Sequence, residues 1–106
     1  FSKTRLDEIE EAIKQDRTLS QVQQYILNGW PETKNDLSDS LQTFFSFKEE
    51  LGVYNGLIVK GSLMVIPTKI VPSVLIELHR GHKGVEGCLK LARENVFWPK
   101  MTEEIT

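Results

Sequence analysis

The Asn55-Gly56 pair stands between two β-prone runs, Val53-Tyr54 and Leu57-Ile58-Val59. Asn-Gly is the strongest short hairpin signal, because the tight turn that matches strand twist needs positive φ at both central residues. Lys60-Gly61 separates the second run from a third, Leu63-Met64-Val65-Ile66, which Pro67 closes. The pattern predicts a three-stranded antiparallel meander. Such a meander is too small to stand alone in water and needs helices packed on a face.

The preceding residues supply that cover. Leu6, Ile9 and Ile13 recur at helical spacing with Ala12 beside them, and Thr4 followed by Asp7 resembles a capping box. A second helix is expected from near Thr18, with Leu19, Val22, Tyr25 and Ile26 on one face and Gly29 as its C-terminal cap before Trp30-Pro31. Asp36 is positioned to cap a third, carrying Leu37, Leu41, Phe44, Phe45 and Leu51 and ending at Gly52. After the meander, Pro72 suits the first turn of a fourth helix with Val74, Leu75 and Leu78 inward, ending about Arg80-Gly81. A fifth runs from Val85 to about Glu94, Val96-Phe97-Trp98-Pro99 breaks it, and Thr102 caps a sixth. The fold class read from this order is α+β.

A length of 106 residues with 40% hydrophobic content sets one domain, or one plus a small appendage, as the ceiling. No stretch approaches the roughly 18 consecutive apolar residues of a membrane span, and no apolar stretch follows Phe1-Ser2-Lys3-Thr4-Arg5 to make a secretory signal. Neither a membrane partner nor export is expected. The single cysteine, Cys88, has no partner for an internal disulfide and points to a reducing compartment. At its helical position it reads as a small buried hydrophobe.

The net charge of -2 lacks the basic excess of an autonomous nucleic-acid binder. Charge is nevertheless uneven: residues 60–106 carry seven Lys/Arg against five Asp/Glu, whereas residues 1–59 carry six against ten. A polyanion therefore prefers the second half. Lys83, Lys90, Arg93 and Lys100 are the candidate DNA contacts there, with Lys90 and Arg93 at the spacing of one helix face.

No catalytic residues are assigned, because no Gly-rich phosphate loop, nucleophile beside a histidine or apolar carboxylate pair is visible. His79 and His82, the chain's two histidines, are three apart near the end of the fourth helix. Residues at that spacing share a helix side, so both imidazoles can approach one zinc ion at about 2 Å. Zinc needs four ligands, and by residue type alone the two histidines also read as solvent-facing groups at a helix end. Trp98 and Met101 are expected to close the core between the last helices, and Trp30 to anchor it elsewhere.

Leu78-His79-Arg80-Gly81-His82-Lys83-Gly84, Leu91-Ala92-Arg93 and Trp98-Pro99-Lys100-Met101 together resemble the zinc-binding N-terminal region of integrases from gypsy-type LTR retrotransposons. Upstream, Asp16 with Leu19, Gly29-Trp30-Pro31, Glu50-Leu51 with Val53, Gly56-Leu57-Ile58 with Lys60-Gly61, and Val65-Ile66-Pro67 are similar to the segment preceding that motif in such polyproteins. Lys100 departs from the pattern, standing where the family has glycine.

The resemblance implies residues 1–67 as an N-terminal extension of helices plus meander, and 68–106 as a small helical, zinc-finger-like module. It assigns His79 and His82 to a His-His-Cys-Cys zinc site whose Cys-x-x-Cys lies some tens of residues downstream, beyond Thr106, so that the module is incomplete at its C-terminus. Zinc is then a cofactor of the full-length parent, weakly bound or absent with these residues alone. The implied function is non-catalytic: supporting self-association and holding element DNA ends in the nucleus, after a cytoplasmic particle stage. Polynucleotidyl transfer belongs to a separate core of the parent polyprotein, alongside reverse transcriptase. A host-domesticated module that binds a protein partner without integrating DNA is the alternative, favoured by the acidic first half. A helix-turn-helix DNA reader fits less well, for want of a basic recognition helix.

Overall fold

The computed structural model describes residues 2–80 and 84–99, without the side chains of residues 84–86, 88 and 89. Helix α1, Lys3–Gln15, is followed after Asp16 by α2, Arg17–Asn28. Asp16 ends the first helix and caps the second, its Oδ1 accepting from the Leu19 N–H at 2.9 Å, so α2 begins just before Thr18. The cap of α1 is Ser2, whose Oγ accepts from the Arg5 N–H at 3.1 Å. The Thr4–Asp7 box therefore does not form, because both residues lie inside a helix that starts at Lys3. Gly29 takes φ 105° at the end of α2, a conformation costly for any residue with a Cβ.

The predicted third helix is shorter than its pattern. It is α3, Asp39–Phe45, capped by Ser38 rather than Asp36, and a separate 3₁₀ turn occupies Lys48–Glu50. The physical reason lies in the aromatic residues. Phe44 is buried, and Phe47 turns to meet it edge-to-face at 5.7 Å while meeting Phe97 at 5.3 Å. A continuous helix would separate Phe47 from that pocket, so the chain leaves helical geometry and Leu51 becomes a strand residue.

The meander forms as expected: β1, Leu51–Tyr54, pairs with β2, Leu57–Lys60, which pairs with β3, Leu63–Val65, all antiparallel. Asn55 and Gly56 both adopt positive φ, 52° and 80°, at the β1–β2 turn. A Cβ on Gly56 would meet only the flexible end of the Glu10 side chain, at 2.8 Å, so it is the backbone conformation of the turn that calls for glycine. After a 3₁₀ turn at Thr68–Ile70 come α4, Val71–His79, and α5, Gly84–Asn95. Val96–Phe97 then forms β4, parallel to β3, giving the order β1-β2-β3-β4. That segment ends α5 and also completes the sheet, with the Ile66 N–H donating to the Phe97 carbonyl at 2.9 Å. The predicted sixth helix at Thr102 lies outside the described residues.

One cluster of buried side chains draws on nearly every element: Ile9 and Ile13 from α1, Leu19 and Val22 from α2, Phe44 from α3, Ile58 and Val65 from the sheet, Val74 and Leu78 from α4, Ala92 from α5, then Val96 and Trp98. Lys60 reinforces one side, its Nζ 5.0 Å and 5.2 Å from the Phe47 and Phe97 ring centroids and 3.3 Å from Glu50 Oε1. Trp30 is half-buried, stacked on Tyr25 at 5.0 Å and packed against the cluster's edge. Among the described residues, no helix is long and apolar enough to cross a membrane.

Candidate metal centre

Helix α4 is amphipathic in the way its spacing predicts. Val71, Val74 and Leu78 are buried against the core, Leu75 is half-buried, and Pro72 sits in the first turn, where its missing N–H costs nothing. The opposite stripe, Pro72, Ile76, His79 and Arg80, is exposed. His79 is thus held in the last turn of a helix whose other side is locked into the core, with its imidazole in solvent. Among the described residues no hydrogen bond or ion pair engages that imidazole. His82 and Lys83 lie outside the described residues, as do Lys100 and Met101.

The donor chemistry available at His79 fits one ligand of a zinc site: an imidazole, accessible from solvent, on a helix whose other side is packed into the core. Among the described residues no group of three or more His, Cys, Asp or Glu residues able to hold a metal occurs. The carboxylate closest in sequence, Glu77, is engaged by Arg5 at 2.8 Å. Cys88 falls within α5, and the burial expected for it concerns a side chain outside the described set.

Lys90 and Arg93 are both exposed on α5, three residues apart on one continuous helix, with Glu94 exposed beside them. Trp98, which the motif reading made a core residue, is 1% exposed and belongs to the central cluster. A separate cleft of about 430 Å³ opens between the starts of α2 and α3, where Asp16, Asp39 and Thr68 surround an apolar floor that includes Phe44 and Ile66. One of its two carboxylates, Asp16, is already committed to capping α2.

Sequence reasoning missed a contact on α4, the ion pair and hydrogen bond that Arg5, near the start of the chain, makes with Glu77 and Ser73. Its partners lie 68 and 72 residues away, and no local pattern announces a pairing at that distance.

No curated protein and no solved structure matches the chain. A family model does: the integrase zinc binding domain, over residues 66–106. The matched span begins directly after β3 and takes in α4, both histidines, α5, β4 and Trp98, so this part of the chain is similar to the zinc-binding domain of integrases.

Proposed function

We propose that the chain is the non-catalytic N-terminal region of an integrase encoded by a gypsy-type LTR retrotransposon, acting in the nucleus to support self-association and to hold the element's DNA ends. The observation that carries this reading is the integrase zinc-binding match over residues 66–106, with His79 of its His-x-x-His pair presented to solvent at the end of α4. His79 and His82 supply two ligands, and two thiolates from a downstream Cys-x-x-Cys supply the others. Zinc bound there ties the end of α4 to the downstream chain and contributes folding free energy directly.

The chain's own residues do the remaining work. Residues 68–106 form the module that carries the metal, and residues 1–67 serve as its extension. The exposed Lys90 and Arg93 on α5 offer phosphate contacts, which position DNA without reading its sequence. DNA strand transfer belongs to a separate catalytic core in the parent polyprotein.

The test is metal stoichiometry in the full-length protein. Purified from zinc-supplemented cells without chelator, it is expected to carry one zinc per chain at this site by mass spectrometry of the intact folded protein. His79→Ala and His82→Ala each remove it, whereas Lys90→Ala leaves it in place. Retention of zinc in both histidine variants overturns the assignment.

A further inference from the structure

We infer that Arg5, at the start of α1, is a positioning residue for the metal-bearing end of α4. The inference rests on the proposed role of His79 as a zinc ligand and adds a residue that lies outside the matched integrase span. Arg5 donates from Nε to Glu77 Oε2 at 2.8 Å, and from Nη1 to Ser73 Oγ at 3.0 Å and Glu8 Oε2 at 3.1 Å. Ser73 passes the interaction on, its hydroxyl donating to the Ile70 carbonyl at 3.0 Å. One guanidinium therefore grips α4 at two points a helical turn apart and ties its first turn to the 3₁₀ turn before it.

This grip is unlike an ordinary surface ion pair. The Arg5 side chain is 18% exposed and that of Glu77 34%, so solvent screens the pair less than it screens the α1 surface pair Lys3–Asp7, at 92% and 66%. The planar guanidinium also meets its partners with fixed geometry, which lysine does not reproduce. Glu77 and Ser73 form one stripe of α4, and Val74 and Leu78 form the next, buried in the core. Two adjacent stripes held at once fix the helix against rotation about its axis. His79, two residues beyond Glu77, then leaves the helix in a set direction.

A nine-residue helix is short enough for its last turn to fray when its tertiary contacts are lost. His79 lies in that last turn, and Glu77 is the last α4 residue that Arg5 holds. Releasing Glu77 lets the turn open and makes metal binding restore its order first. The coupling runs both ways: a metal on His79 stabilises the last turn, and with it the docking of α1.

The experiment is a cobalt(II) titration of the full-length protein, followed by the cobalt–thiolate absorption that carboxylate sites elsewhere in the protein lack. Arg5→Met is expected to weaken cobalt binding roughly ten-fold, because the last turn of α4 must then be ordered at the expense of binding, and each factor of ten corresponds to about 1.4 kcal/mol. Arg5→Lys falls between, and the exchanged pair Arg5→Glu with Glu77→Arg recovers most of the affinity. Asp16→Ala, which removes the α2 cap without touching α4, lowers thermal stability and leaves cobalt affinity unchanged. Wild-type affinity in a folded Arg5→Met protein overturns the inference while leaving the zinc assignment standing. Equal weakening in Asp16→Ala overturns it as well, by assigning the effect to general stability. If the wild-type protein shows no cobalt–thiolate absorption, the zinc reading fails and the inference fails with it.

Discussion

Replacing Trp98 with alanine is expected to remove about 3–5 kcal/mol of stability, the range for truncating a large aromatic side chain in a packed core. Trp98 is 1% exposed and follows β4 directly, in the cluster that also holds Ile9 of α1 and Ile58 of β2. Against a total of about 5–15 kcal/mol for a domain of this kind, the loss is a large fraction of the stability, and most of it at the lower end of that range. Urea denaturation at low temperature, followed by circular dichroism, reads it as a lowered midpoint with an unchanged slope. Trp98→Phe keeps most of the ring volume and should cost clearly less. A loss in Trp98→Ala below about 1 kcal/mol, the size of an average substitution, would mean that the Trp-Pro motif does not close the core.

The second large effect is expected from Val96→Asp. Val96 is fully buried on β4, opposite Met64 in the parallel register with β3, and no buried polar or charged residue occurs among the described residues to receive a carboxylate. An unpaired charge there costs more than about 4 kcal/mol. Its sign with pH follows from burial, which disfavours the ionised form and raises the carboxyl's folded-state pKa above the unfolded value near 4. Across the interval between the two, the folded state binds more protons, so the variant loses stability as pH rises. Thermal melts from pH 4 upward should show the gap from wild type widening. Tyr54→Asp, at a residue 66% exposed, serves as the comparison and should cost only about 1 kcal/mol, the span of strand propensity. A similar loss at both positions, or a gap that narrows with rising pH, would contradict the placement of β4 in the core.

Both variants probe how the residues around the integrase-like match are joined to those upstream. The matched span contributes Ile66, Val74, Leu78, Val96 and Trp98 to a cluster that also contains Ile13, Val22 and Phe44. The helix bearing His79 is accordingly braced on its inner side by residues from before and after the meander.

Much of this was readable from local pattern because local physics determined it. The stripes of α1 and α2, the Asn55-Gly56 turn and Pro72 in the first turn of α4 each follow from periodicity or backbone preference within a few residues. Where the reading failed, a distant contact decided the outcome. Phe47 leaves helical geometry to meet Phe97, fifty positions on, and Val96–Phe97 becomes a strand because β3 offers an edge beside it. A two-residue strand has too little sequence to announce itself. Ser2 rather than Thr4 caps α1 because the helix begins a turn earlier than its apolar stripe. At the site, His79 was visible as half of a spaced pair, whereas the Arg5 grip on Glu77 and Ser73 became apparent only once α1 and α4 were packed together.

Whether this chain leads into a complete integrase zinc site can be read from the encoding transcript, in frame past the codon for Thr106. A Cys-x-x-Cys is expected within some tens of residues, completing the set begun by His79 and His82, followed by a domain with spaced acidic residues. An in-frame continuation without the cysteine pair, or a stop codon before one, would contradict the proposed zinc site.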